Sequence, residues 1–442
     1  MLAYYFDMAL RNIRRNGTLS ALMVLAIAVG IGASMTTLTV MHLLARDPLP
    51  GRSARLFYPQ VNPTPKGYEG GDEPPDVMDY RSAMDLWRAG RADRQTLIVD
   101  SQLRVTAPDA RTPPLMGQML STTADFFPMF DVPFLYGSGW SADDDAKQAH
   151  VAVISFDTNR RLFGGANSVG RTVRLRDTSV RIVGVLDTWR PSPLFYDVAA
   201  GRFAHGDTAD FYGKVQDVMT PLSTGLQIND GHFQQFDCWA LAPVPGHLQE
   251  APCVWVKLWV QLDTPARVAA YRDFLAGYAA QQKALGRYEV AEGTRLRSLM
   301  AWLDYNGVVP SDVQLQTNLA FAFLAICLFN ATGLLLANFL RRSGEIGVRR
   351  ALGATRQAIF VQCFVEAGVI GAFGGFGGWL LTLAGLWLVR QQPVAYADMA
   401  HIDVAMFAVT FLLAILSSLL AGCFPALRAS RVPPALQLKT LG

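Results

Sequence analysis

Few residues in this chain are arranged to do chemistry. The stretch GANSVGRT (165–172) sets glycines, a cation and a hydroxyl in nearly the order of a phosphate-binding loop. Such a loop cradles phosphate in backbone amides at a helix start while a lysine reaches across it. Here Arg171 stands where the lysine belongs, and the residues after Thr172 alternate like a strand, so the segment reads as a turn. The six histidines (His42, His150, His205, His232, His247 and His401) show no paired metal-ligand spacing. Asp143, Asp144 and Asp145 read as a solvated turn, and no G-x-S-x-G nucleophile pattern occurs. The chain is therefore expected not to be an enzyme and to bind no metal or cofactor of its own. What remains is an isolated acid, Glu366, and an isolated amide, Asn330, inside apolar stretches, and a basic link, RRSGEIGVRRALGATRQ (341–357). Ionisable groups inside a membrane segment are functional candidates. For Glu366 a carboxylate paired with an arginine such as Arg349 or Arg356 is favoured over a proton relay.

The elements that must position these groups are membrane spans. Of 442 residues, 51% are hydrophobic and only 17% charged, which is unusual for a soluble protein. The net charge of +3 is too small to argue for nucleic acid. Four apolar runs, 18–44, 317–340, 358–389 and 404–424, reach the roughly 20 residues a helix needs to cross a bilayer. The first follows Arg11, Arg14 and Arg15 but is too long for a signal-peptide core of about 7–15 residues, so it reads as an uncleaved anchor. Residues 1–17 read as an amphipathic helix at the inner membrane surface, with Leu2, Tyr5, Phe6, Ala9, Leu10 and Ile13 at helical spacing. Basic residues mark the cytoplasmic side. The N-terminal arm, the link with its five arginines, and the tail 425–442 with Arg428, Arg431 and Lys439 all lie inside if both termini are cytoplasmic. The region 45–316 and the short loop 390–403 then lie outside.

The expected fold is thus an α-helical membrane protein with four transmembrane helices and a large α+β domain inserted between the first two. Residues 150–157 read as a strand, 172–187 as a hairpin turning near Asp177, and 264–285 as a helix capped by Thr264 with Pro265 in its first turn. The stretch 188–250, rich in Pro, Gly, Asp and Phe, lacks clear periodicity and reads as loop-heavy. Ala26, Gly30 and Ser34 form a small-residue stripe on the first span, and six glycines crowd 368–378 in the third, both marks of close helix packing. Cys327, Cys363 and Cys423 fall in the spans. Cys238 and Cys253 fall outside, where disulfides form, and are expected to be bonded; two separately buried thiols are the alternative.

The link has internal logic. Glu345 and Arg349 stand four apart with the acid first, the better order for a helical pair. Val348, Ala351 and Leu352 make a small apolar face, Gly353 is placed to end the helix and Thr355 to cap the next. Two readings stay open on pattern alone: a short helix that docks a cytosolic protein, or a basic loop that merely obeys the charge bias.

The stretch GEIGVRRALGATRQAIF closely resembles the helix after the second span in MacB/FtsX-type permeases of the ABC superfamily, where E-I-G-[IV]-R-[KR]-A-L-G-A-[TS]-R is typical. Residues 9–34 and 424–439 resemble the family's start and end, and 121–144 and 151–187 its periplasmic core. The stretch 188–250 lacks this likeness and reads as an insertion or variant. The resemblance implies a permease of the bacterial inner membrane, with a MacB-like periplasmic domain, that works as a dimer with a second copy or a paralogous permease. ATP and magnesium would be bound by a separate pair of cytosolic ABC ATPase subunits, since the chain holds no intact phosphate-binding loop. Glu345, Ile346, Gly347, Arg349, Arg350, Leu352, Gly353 and Ala354 become the proposed ATPase-coupling element. The implied role is export or efflux by mechanotransmission, with membrane lipid around it and a periplasmic adaptor and outer-membrane duct as further possible partners. A transmembrane signal transmitter acting on a periplasmic partner, and extraction of lipid or lipoprotein, are the alternatives.

Overall fold

The computed structural model describes residues 2–68, 73–107, 113–229, 233, 236–240, 249–401 and 404–430. The expectations for Arg431, Lys439, His232, His247 and the rest of the tail lie outside these residues. The chain divides into two compact units, Arg46–Val308 and the segments that flank it on either side.

In the Arg46–Val308 unit the described residues form a sheet with strands β1 (Leu56–Gln60), β2 (Arg94–Thr106), β3 (Leu115–Thr122), β4 (Phe134–Gly137), β5 (Val151–Ile154), β6 (Thr172–Leu175), β7 (Thr178–Leu186), β8 (Val218–Pro221), β11 (Lys257–Gln261) and β12 (Arg295–Ser298). A separate pair is made by β9 (Asp237–Cys238) and β10 (Cys253–Val254). The sheet runs β12-β1-β11-β2-β3-β8-β5-β7-β4, and β6 joins β2 to β7. Strand β2 is long enough to pair with β11 near its start and with β6 near its end, so β2, β3, β8, β5, β7 and β6 close on themselves. The alternating residues Leu103, Val105, Val173, Leu175, Val180 and Ile182 fill this ring. A second core lies where β1 and β11 meet the helices Tyr80–Arg88 and Pro265–Ala284, around Trp255, Leu258, Tyr271 and Leu275.

Local signals explain these elements. Thr264 accepts a hydrogen bond from the Arg267 backbone N–H and Pro265 opens the helix, where its missing N–H costs nothing. Strands β6 and β7 pair as a hairpin with Leu175 opposite Thr178, and Arg176 takes φ +52° in its turn. The segment 165–172 is a turn: Gly165 and Gly170 both take φ +86°, the Arg171 N–H donates to the Ser168 carbonyl at 3.0 Å, and β6 follows at once. A phosphate cradle needs a helix there instead. The described part of 188–250 is loop-heavy, as expected, but it also holds β8, which pairs parallel to β3 and antiparallel to β5, and the helix Leu222–Asn229 that follows directly. Four buried residues ending in proline carry too little pattern to distinguish a strand from a loop.

The flanking unit is helical: Leu2–Arg15, Gly17–Leu44, Ser311–Arg341, Ser343–Ala351, Arg356–Val389 and Val404–Ser430. Among the described residues, four of its helices are long and apolar enough to cross a membrane. Glycines let them approach. A Cβ on Gly374 would lie 2.7 Å from Ile27, and one on Gly378 2.8 Å from Ile31, so the third span touches the first backbone to side chain. The stripe on the first span faces the second: Gly30 lies against Leu324 and Cys327, and Ser34 Oγ donates to the Ala320 carbonyl at 2.9 Å. The third and fourth spans meet where Gly375 faces Ala414 and Gly422 faces Ala367.

Candidate functional site: the link between the second and third spans

The second span ends at Arg341, Arg342 makes the corner, and Ser343–Ala351 forms a separate short helix. Its acid lies in the first turn and Arg349 and Arg350 in the last, the arrangement the helix dipole favours. Gly353 takes φ +100°, its N–H donates to the Arg350 carbonyl at 3.2 Å, and the Ala354 N–H reaches back to the Arg349 carbonyl at 3.0 Å. This paired closure needs a left-handed residue at Gly353, which glycine adopts without strain. Thr355 then caps the third span by accepting from the Ala358 N–H at 3.1 Å.

The two faces of this helix differ. Ile346, 7% exposed, and Gly347 turn inward, and Ile346 joins the core of the spans with Ala354 packed beside it. Val348 is 47% exposed and Leu352 83%, and Ala351 is exposed between them. Arg341 and Arg356, before and after the helix in sequence, are also exposed, while Arg350 is half-buried. Among the proposed coupling residues, Leu352 and Gly353 lie outside, Ile346 and Gly347 anchor, and Glu345 and Arg349 belong to a polar ring.

That ring ties four elements together. Arg342 Nη1 donates to both carboxylate oxygens of Glu366 at 3.1 and 3.0 Å, and Asn12 Nδ2 donates to Glu366 Oε2 at 3.2 Å. Arg342 also lies 3.6 Å from Glu345, and Glu345 3.8 Å from Arg349. Arg349 Nη1 closes the ring by donating to Gln362 Oε1 at 3.0 Å. Glu366 is thus a paired carboxylate, but its cation is Arg342, not Arg349 or Arg356. Arg349 is taken by Gln362, one turn earlier on the third span, and Arg356 points outward. Sequence reasoning misses Arg342, Gln362 and Asn12; the signal for Arg342 is an acid in an apolar span with a double arginine at the end of the preceding one. Asn330 is exposed on the second span, whereas Asn338 is buried and accepts from Asn16 Nδ2 at 3.1 Å.

The Arg46–Val308 unit holds a buried charge cluster of its own, in which Lys257 lies 2.6 Å from Asp100 and also pairs with Asp197, while Gln216 donates to both acids. Among its described residues, no cluster of His, Cys, Asp or Glu is placed to hold a metal. Cys238 and Cys253 face each other across β9 and β10 and share a disulfide. A cavity of about 370 Å³ is lined by Arg52, Arg55 and Arg94, but each lies within 3.6 Å of a carboxylate, on Asp131, Asp263 and Asp125 respectively.

A helical membrane unit interrupted by a β-rich domain, with a short exposed helix between its second and third spans, defines a permease-like architecture. Comparison with known proteins agrees. Residues 20–276 match the MacB-like periplasmic core domain, and residues 318–434 the FtsX-like permease C-terminal domain. The chain belongs to the MacB/FtsX-type family of ABC permeases. It is 22% identical, over 97% of its length, to the macrolide export ATP-binding/permease protein MacB of Azoarcus sp., of which it covers 58%. It is 24% identical, over 71% of its length, to the pyoverdine export ATP-binding/permease protein PvdT of Pseudomonas aeruginosa, covering 41% of it. The chain therefore spans between about two fifths and three fifths of these relatives. The periplasmic region of MacB from Actinobacillus actinomycetemcomitans covers 58% of the chain at a TM-score of 0.36 and 13% identity.

Proposed function

We propose that this chain is the membrane permease subunit of an ABC export machine, in which a separate cytosolic ATPase dimer docks on the link helix. ATP and magnesium are bound by that partner. Both termini and the link face the cytoplasm, the Arg46–Val308 unit faces the periplasm, and hydrolysis inside moves the domain outside. A second copy or a paralogous permease completes the machine. The observation that carries this reading is the division of labour in Ser343–Ala351 and the turn after it: Ile346 is anchored in the core of the spans while Val348 and Leu352 are held out to solvent beside arginines. A small apolar face close in sequence to several arginines suits the centre of a protein interface.

The test is a double substitution, Val348→Asp with Leu352→Asp, on side chains that lie outside the core of the spans. The variant is expected to insert normally and to lose at least about tenfold of its co-purifying ATP-hydrolysing subunit, as truncation of central contacts does elsewhere. Normal co-purification would overturn the docking role. Mass spectrometry of the native complex in mild detergent then separates the possible roles. An adaptor with an outer-membrane duct marks efflux, a periplasmic hydrolase a transmitter, and a bound lipoprotein extraction from the membrane.

A further inference from the structure

A helix of nine residues cannot hold its own orientation, because isolated helices below roughly 12–15 residues are marginal in water. The link helix must be held from outside, and its covalent ends are both turns: the corner at Arg342 and the closure at Gly353. A push on Leu352 would spend itself in bending those turns unless something braces them. Glu366 is placed to do so. It is 2% exposed, lies inside an apolar span, and receives a two-oxygen contact from the corner residue itself. Arg342 ends the second span and begins the link, so its side chain pins the corner to the third span. Asn12 adds the N-terminal helix to the same carboxylate. Ion pairs away from water are strong once formed and costly to break singly.

We infer that Glu366 is a positioning residue: with Arg342 and Asn12 it locks the link helix, the third span and the N-terminal helix into one body, so that a load on the link reaches all three. This rests on the docking reading for its purpose, but not for its test, which uses the full chain without any partner.

The experiment is hydrogen–deuterium exchange on the full chain in nanodiscs. Glu366→Gln keeps the shape and removes the charge. It is expected to speed exchange about tenfold in both the link helix 343–351 and the N-terminal helix 2–15, as loss of one partner of a buried pair loosens what the pair held. Arg342→Gln should do the same in both helices, because it frees the carboxylate that Asn12 also holds, while Asn12→Ala should loosen only the N-terminal helix. Arg341→Gln, outside the ring, should change neither. Glu366→Asp, which keeps the charge, should recover part of the protection. If Glu366→Gln destroys the fold, Arg342→Met with Glu366→Met removes the pair without leaving a lone charge. Apolar packing can then hold the link, but the N-terminal helix loses the carboxylate Asn12 holds and should still exchange faster. Unchanged exchange in the link of Glu366→Gln or in the N-terminal helix of the double variant, or an equal rise in every span, overturns the positioning role. Either result leaves the co-purification test of docking untouched, so the two ideas fail separately.

Discussion

Asp145 accepts hydrogen bonds from the Ala124 backbone N–H at 2.7 Å and from Trp140 Nε1 at 2.9 Å. Burial nevertheless dominates and pushes its carboxyl up to about 6, against those two donors and with help from the neighbouring charges of Asp144 and Asp125. The folded state therefore holds this proton more tightly than the unfolded chain does. The stability this contributes is fully present below about pH 4 and is lost as pH rises through about 6. Since the group is partly solvated, about 1 kcal/mol is the expected size. Urea unfolding of the full chain should show this loss between about pH 4 and 7, and Asp145→Asn, though less stable overall, should lack that part of the slope. A slope identical in both proteins would refute the assignment. Lys257 shows the opposite balance. Burial disfavours its ammonium, but Asp100 at 2.6 Å and the adjoining Asp197 outweigh burial and hold its pKa above the ordinary lysine value. The same cluster pushes the Asp197 carboxyl well up, through burial and then the charge of Asp100. Two acids facing one cation need not both ionise.

At the scale of elements, the seam between the first and third spans rests on absent side chains. Ile31 is fully buried and β-branched, so it has few rotamers in which to yield to a new methyl group. Gly378→Ala is expected to cost about 1–3 kcal/mol in detergent unfolding, the usual range for overpacking. Gly368→Ala meets nothing within 4 Å and should be neutral or stabilising by up to about 1 kcal/mol. Equal effects at the two glycines would mean the seam is not tightly packed. Much of this is legible in the sequence. Charge order, a glycine stop and a threonine restart mark the link helix, and strict alternation marks the β6–β7 hairpin. Strand β8 is not legible, because four residues ending in proline have no readable period. The partner of Glu366 is not legible either. Helical spacing measures neighbours along one helix, whereas Arg342 reaches Glu366 from across a corner. The amphipathic pattern of the first residues predicts a helix but not its neighbours: Ala9 is buried, Ile13 packs on the span core, and Asn12 reaches the third span.

For the whole molecule, the proposed mechanism requires that the link and the Arg46–Val308 unit lie on opposite sides of the membrane. The sequence supports this through its arginines, five of which fall in 341–357, while 390–403 has one. Charge bias sets orientation through short loops, and a unit running from Arg46 to Val308 between two spans must be carried across whole or not at all. Single cysteines at Asp177, an exposed residue of the β6–β7 turn, and at Leu352 in the link can be probed in intact cells whose outer membrane has been opened. The native Cys327 and Cys363 are buried but Cys423 is only half-buried, so the labelling is done in a Cys423→Ala background. A membrane-impermeant maleimide should label Asp177→Cys at once and Leu352→Cys only after the inner membrane is permeabilised. Early labelling of Leu352→Cys would place the link outside, where no ATPase could reach it, and would end the docking proposal whatever the pull-down returned. The labelling order reports which side of the membrane each cysteine occupies, and the proposed mechanism, in which the link would receive the load and the ring around Glu366 would pass it to the third span, stands only if that order is observed.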